Sequence, residues 1–349
     1  MNLFQKTLRH QNHGAPPIWF MRQAGRYHSH YQKLKQKHSF LELCRNPKLA
    51  AKVTMGPIED FDFDAAILFS DLLFPLDTMG MGLSYEPSPK LKWYLDSTTA
   101  VKKLITGSRN IVNQCEQLSF QARAIEIVRS QLPPSKALIG FVGGPFTLFS
   151  YAVVGSHQGD FNKVKNALLD DRYKVFNDHT VELLVQNMKL QTDAGLDAIA
   201  IFDTAAGECT HLEFQDHILP YLRLVIQKFN ELRPNVPIIY YSKNTSFDSW
   251  KYLEKLPITA LGVDWKTEIT EIFKKYGENF CIQGNFNPEF LLLSRAEFEK
   301  KIAEYFSKIN AFPKQLRKNW ISGLGHGVLQ NTPEENIRIF IRTCREIFS

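Results

Sequence analysis

Residues 18–26 read Ile18-Trp19-Phe20-Met21-Arg22-Gln23-Ala24-Gly25-Arg26. The apolar run Ile18–Met21 lacks alternation, as a strand covered on both faces does. The residues after Met21 separate two folds. A doubly wound sheet announces a glycine-rich phosphate turn after its first strand, whereas this run ends in two arginines four residues apart. Seven more short apolar runs occur: Ala65–Phe69, Ala137–Val142, Ala198–Phe202, Pro237–Tyr241, Ala260–Val263, Phe280–Ile282 and Trp320–Leu324. Stretches of helical period lie between them. They include Tyr173–Ala194 with Gly195 as its C-cap, Pro220–Leu232, Pro288–Ile309, and Pro333–Ile347 with Thr332 as its N-cap. Strand alternating with helix implies a parallel sheet with right-handed crossovers. The expectation is an α/β fold, a (β/α)8 TIM barrel, in a single domain over residues 1–349 with N-terminal and loop insertions.

Composition narrows the function classes. Of the 349 residues, 44% are hydrophobic and 22% charged, which suits a folded core and excludes a disordered chain. No apolar run approaches the about 20 residues of a membrane span. The polar first 14 residues do not read as a secretory signal, and five scattered cysteines read as reduced thiols; both point to the cytoplasm. The 42 Lys+Arg against 36 Asp+Glu leave a surplus of +6, which permits an anionic ligand but is too dilute for nucleic acid. Neither nucleic acid nor membrane is expected as a partner.

In barrels the chemistry sits where strands end and βα loops begin. The eight junctions carry Arg22 with Arg26; Ser70-Asp71; Gly143-Gly144-Pro145 with Tyr151 about two turns on; Asp203-Thr204; Ser242-Lys243-Asn244; Asp264-Trp265; Gly284-Asn285; and Gly325-His326-Gly327. Each has a structural reading beside the functional one. A strand-end arginine pairs with a nearby carboxylate, Asp71 caps the next helix, and Tyr151 beside Phe146 and Phe149 belongs to the core. His326 is harder to set aside, because flanking glycines bring backbone and imidazole close to something. Other signatures fail. No nucleotide fingerprint is present, and neither HExxH nor GxSxG occurs. His28-Ser29-His30 has the spacing of a metal-binding pair but lies past the strand end, where a solvated loop is the simpler reading. No metal is expected.

These junctions resemble the uroporphyrinogen decarboxylase family over nearly the full length. The carrying motifs are Trp19–Tyr27, Ala65–Asp71 running into Pro75–Gly82, Gly140–Leu148 with Tyr151, Phe202-Asp203-Thr204, Gln283-Gly284-Asn285 and Leu324–Gly327. The resemblance implies a cytoplasmic homodimer that removes carboxylate without any cofactor. That is a carboxy-lyase converting the four acetates of uroporphyrinogen III to methyls, giving coproporphyrinogen III in haem biosynthesis. The implied ligand is a polycarboxylate tetrapyrrole. It further implies Asp71 and Arg22 as catalytic residues. Substrate-binding positions would be Arg22, Gln23, Ala24, Gly25, Arg26, Asp71, Tyr151, Thr204 and His326. Asp71 would accept pyrrole N–H bonds and stabilise the cationic ring, and the arginines would hold carboxylates. A proton-donating role is also attributed to Arg22, although a guanidinium is a poor acid.

The chain departs from the family pattern in ways that mark a divergent member. His28-Ser29-His30 replaces Leu-Pro-Glu, Lys35 stands for an arginine, Val154 for a glutamate, and Ala205 for Trp or His. Asn287 stands for aspartate, Asn244 for glycine and Gly323 for asparagine, and a glycine-rich segment reads Tyr85–Pro89. Two alternatives stand beside the decarboxylase. One is a corrinoid or thiol methyltransferase of the same superfamily, which would need zinc ligands. The other is a tetrapyrrole-binding protein without turnover.

Overall fold

The computed structural model describes residues 1–85, 88–107, 110–156, 161–245 and 247–349. Among them the strands in chain order are β1 (Ala65–Ile67), β2 (Leu83–Tyr85), β3 (Pro89–Leu91), β4 (Ala137–Gly143), β5 (Ala198–Phe202), β6 (Ile238–Tyr241), β7 (Ala260–Gly262), β8 (Cys281–Phe286) and β9 (Trp320–Leu324). Apart from β2 and β3, which pair antiparallel as a hairpin, the pairings are parallel and helices intervene. Seven parallel strands alternating with helices follow the TIM-barrel plan, among the described residues. Residues of β5 to β9 and of β1 are buried throughout, which is why β1, β5 and β6 are continuous Ala, Ile, Phe and Tyr rather than alternating apolar and polar.

The chain groups into two compact units. The first comprises Met1–Phe69, Ile127–Ile139 and Thr259–Ser349. Here β1 pairs with the start of β4 from Ala65↔Ala137 to Ile67↔Ile139, and β8 lies between β7 and β9. Ile18 bridges Ser322 of β9, and its carbonyl accepts the Asp64 N–H at 2.9 Å. The run Ile18–Met21 therefore differs from the expected strand: one residue pairs, and Trp19, Phe20 and Met21 serve the core instead. Phe20 lies edge-on to Phe63 at 5.0 Å and to Phe340 at 4.8 Å.

Two helices of this unit also differ from expectation. Pro288–Ile309 is interrupted: a 3-10 turn covers Pro288–Leu292, and the α-helix Arg295–Asn310 starts afresh with a Ser294–Glu297 capping box. The last helix runs Glu334–Phe348 behind Pro333, and the Thr332 hydroxyl is buried without a hydrogen-bond partner, so it is not the cap.

The second unit comprises Ser70–Glu126 and Gly140–Ile258. It holds the pairing of β5 with β6, from Ile199↔Ile238 to Phe202↔Tyr241. The β2–β3 hairpin extends the loop after β1; Glu86 and Pro87, part of the segment that departs from the family pattern, lie outside the described residues. Helix Asp171–Asp193 is capped by the Asp170 side chain and supplies buried aromatics, with Tyr173 and Phe176 packing on Phe149 at 4.7 and 5.5 Å. Among the described residues, no helix is long and apolar enough to cross a membrane.

Candidate active site

In the first unit the chain leaves Ile18 and turns at Arg22, whose φ is +60°. A residue with a Cβ adopts that left-handed conformation only where its surroundings over-determine it. They do so here. Gln23 is buried, its Oε1 accepts the Phe20 N–H at 3.2 Å, and its Nε2 donates to the Ala65 carbonyl at 3.0 Å. The Tyr27 hydroxyl donates to the Gln23 carbonyl at 2.6 Å, and the Val328 N–H donates to the Met21 carbonyl at 3.0 Å. Gln23 is thus the brace of the loop. Ala24 and Gly25 are half-buried in its turn, and a Cβ on Gly25 would stand 3.1 Å from the Arg22 carbonyl. Arg22 and Arg26 are exposed, and among the described residues neither guanidinium has an ion-pair partner.

His326 is half-buried on the loop after β9, and both flanking glycines have a reason. A Cβ on Gly325 would stand 2.8 Å from the Trp265 amide nitrogen; one on Gly327 would overlap Arg22 Cδ and stand 2.7 Å from its Cγ. The arginine side chain therefore lies across Gly327, which brings Arg22 and the His326 loop together. Gly323 is equally constrained, with the Trp19 carbonyl 2.6 Å from the position of a Cβ. Asn285 ties the neighbouring loop down, donating from Nδ2 to the carbonyls of Asp264 at 2.9 Å and Thr267 at 2.8 Å.

His28 corrects the expectation of a solvated loop. It is fully buried, with Nε2 2.7 Å from Asp60 Oδ2 and its ring against those of Tyr27 and Phe61 at 5.8 and 4.9 Å. Burial lowers its pKa, and the Asp60 carboxylate works against that shift. The His30 ring covers Gly56, where a Cβ would stand 2.6 Å from it. The two histidines thus pack the base of the arginine loop. Lys35 is exposed at the end of helix Ser29–Lys35.

In the second unit Asp71 is half-buried, and its Oδ1 accepts the Leu73 N–H at 2.8 Å, closing an Asx turn. Two glutamines anchor the residue before it. Gln121 donates from Nε2 to Ser70 Oγ at 2.9 Å, and Gln191 donates to Gln121 Oε1 at 3.4 Å. Gln191 in turn holds both backbone groups of Phe141 in β4, accepting its N–H at 3.0 Å and donating to its carbonyl at 2.9 Å. A Cβ on Gly143 would stand 3.3 Å from Leu72 Cβ, so the Asp71 loop lies against the end of β4.

Tyr151 sits on helix Pro145–Val154, half-buried, while Phe146 and Phe149 of the same helix are fully buried. Thr204, also half-buried, opens the 3-10 turn Thr204–Glu208. A residue to which the junction pattern assigns no role joins the start of that helix to that turn. Asp203 is fully buried, and its Oδ1 accepts the Thr147 N–H at 2.8 Å. Desolvation pushes its carboxyl up to about 6, with Thr147 and Tyr240 pulling the other way. Among the departures, Asn244 has φ +61°, a conformation that glycine adopts freely and that asparagine tolerates best among the other residues.

The structure therefore assembles two groups. Arg22–Arg26 and the His326 loop meet in the first unit; Asp71, Tyr151 and Thr204 stand on braced loops and a helix start in the second. Comparison with known proteins gives these groups a context. The family model described as uroporphyrinogen decarboxylase (URO-D) matches residues 1–347. The uroporphyrinogen decarboxylase of Legionella pneumophila strain Philadelphia 1 is 33% identical over 353 residues, covering 99% of this chain and 97% of that one. That of Geobacter sulfurreducens is 34% identical over 322 residues, covering 92% and 91%. Among solved structures, a methyltransferase from Methanosarcina mazei superposes with a TM-score of 0.74 over 99% of both chains at 16% identity, a likeness of fold alone.

Proposed function

Because the chain belongs to the uroporphyrinogen decarboxylase family, we propose that it removes the four acetate carboxylates of uroporphyrinogen III, leaving methyls and giving coproporphyrinogen III in haem biosynthesis. The observation that carries the reading is the pair of exposed guanidinium groups, Arg22 and Arg26, on a loop whose other polar groups are occupied. Cations with no ion-pair partner among the described residues suit a substrate that brings eight carboxylates.

The chemistry is dictated by the substrate. Losing CO₂ from a pyrrole acetate leaves an electron pair that needs a sink. Protonating the ring carbon beside nitrogen makes that sink, and the carbon–carboxyl bond then breaks with its electrons moving into the ring cation. Protonation of the exocyclic carbon completes the methyl, and loss of the proton first added to the ring carbon restores the neutral pyrrole. Asp71 is the anion that accepts the pyrrole N–H bonds and stabilises the cation. Its Asx turn and the Gln121–Ser70 anchor hold the carboxylate before substrate arrives, so little reorganisation remains. Arg22 holds the reacting acetate and acts through its positive field, because a guanidinium gives up a proton poorly. Arg26 holds a second carboxylate, and Tyr151, Thr204 and His326 hydrogen-bond others. Gln23, Ala24 and Gly25 serve by shaping the loop.

A ring that is its own electron sink gives a metal or organic cofactor nothing to do. The methyltransferase alternative requires thiolate and imidazole ligands at strand ends, where this chain has Ser242, Lys243 and Asn244. The homodimer and the cytoplasmic setting belong to the proposal through the same resemblance. Incubation with enzymatically made uroporphyrinogen III, with mass measurement of the product, tests it. Stepwise loss of four carboxylates is expected; an unchanged tetrapyrrole mass rejects turnover.

A further inference from the structure

The helix that carries Tyr151 begins with Gly144-Pro145, and neither has a side-chain oxygen that could accept its free N–H groups. The Thr147 N–H therefore needs an acceptor from elsewhere, and Asp203 Oδ1 supplies it at 2.8 Å. The exchange is mutual. Thr147 Oγ1 accepts the N–H of Ala205, the residue after Thr204, at 3.0 Å, and the Gly144 N–H donates to the Phe202 carbonyl at 2.8 Å. Three bonds thus join residues 144–147 to residues 202–205. Gly144 is required for the fit, since a Cβ there would overlap the Asp203 carboxyl. Tyr151 stands four residues beyond Thr147 and so lies one turn on along the same stripe of the helix.

We infer that Asp203 is a positioning residue: through Thr147 it sets the Tyr151 helix and the Thr204 turn in one register, so that both hydroxyls meet the same substrate. The inference rests on the reading that Tyr151 and Thr204 bind substrate carboxylates, and adds the residue that aligns them. Its surroundings are costly for a plain helix cap. The hydroxyls of Tyr240 and Tyr173, both buried, are close enough to feel its charge. A serine or threonine would cap the helix without placing a carboxyl there.

The test compares the full-length wild type with Asp203→Ala, Asp203→Asn and Thr147→Val. Steady-state kinetics on uroporphyrinogen III are read beside hydrogen–deuterium exchange over residues 145–151 of the ligand-free proteins. Asp203→Ala should raise KM about tenfold with kcat within about threefold, the signature of lost binding geometry, and should speed exchange of that segment. Asp203→Asn keeps an acceptor for the Thr147 N–H and should restore KM to within about threefold. Thr147→Val removes the acceptor for Ala205 without changing shape, and should raise KM about as much as Asp203→Ala; it carries the test if the alanine variant does not fold. Unchanged KM in Asp203→Ala or Thr147→Val, set against an active wild type, overturns the inference even if exchange quickens. No turnover by the wild type would instead reject the decarboxylase reading, and exchange unchanged in both variants would then still overturn the clasp.

Discussion

The side chain of Arg22 lies across Gly327, so that a Cβ at position 327 would stand 2.7 Å from Arg22 Cγ and 3.0 Å from its Nε. A glycine beside the rim histidine is thus a requirement of the arginine. Gly327→Ala should push the exposed guanidinium aside with little effect on the core. We expect kcat/KM to fall by about tenfold or more, equivalent to about 1.4 kcal/mol, while the melting temperature stays within about 2 °C. Kinetics and thermal unfolding of the purified variant check this. A large loss of stability with unchanged specific activity would place the role of Gly327 in folding alone.

Asp71→Asn separates charge from shape. Its Oδ1 still accepts the Leu73 N–H, so the Asx turn and the stability should survive. The negative charge beside the cationic ring is lost, and kcat/KM should drop by about 10²-fold or more. Near-wild-type turnover would take Asp71 out of the mechanism.

The two arginines should fail differently. Arg26→Lys replaces a fork with a single donor and should act chiefly on KM. Arg22→Ala should lower kcat more than it raises KM, because only interactions strengthened in the transition state change kcat. Matching effects of both substitutions on KM alone would mean that neither arginine acts in the chemical step.

The buried carboxyl of Asp203 makes stability depend on pH with a defined sign. Its pKa rises from 3.8 to about 6 on folding. The folded state therefore favours the protonated form, and its contribution to stability is full below 3.8 and is lost as pH rises through about 6. Asp203→Asn removes that loss. Relative to wild type, the variant should gain stability between about pH 4 and pH 6.5, levelling at about 3 kcal/mol. Urea unfolding at both ends of that range measures the gain; a difference that does not vary with pH would contradict the buried ionised carboxylate.

The strand ends and their polar residues were legible because buried parallel strands are continuous apolar runs, and their punctuation marks the βα junctions. Periodicity says nothing, however, about who pairs with whom. Ile18–Met21 looks like its seven neighbours, yet only Ile18 bridges β9, because the chain must turn into the left-handed Arg22. His28 looked solvated among polar neighbours, and the rings that cover it include Phe61, 33 positions away. Gln121 and Gln191 resemble ordinary helix-surface amides until their partners, Ser70 and Phe141, are known. Asp203 stood at a junction in plain view, but its partner Thr147 is 56 residues distant, and no local pattern encodes that bond.

The most direct measurement is CO₂ release from uroporphyrinogen III by protein dialysed exhaustively against EDTA. If Asp71 and the protonated pyrrole carry the reaction between them, the dialysed protein should release four CO₂ per tetrapyrrole at the rate of untreated protein. Activity lost on chelation and restored by zinc would contradict the account and favour a metal-dependent transferase.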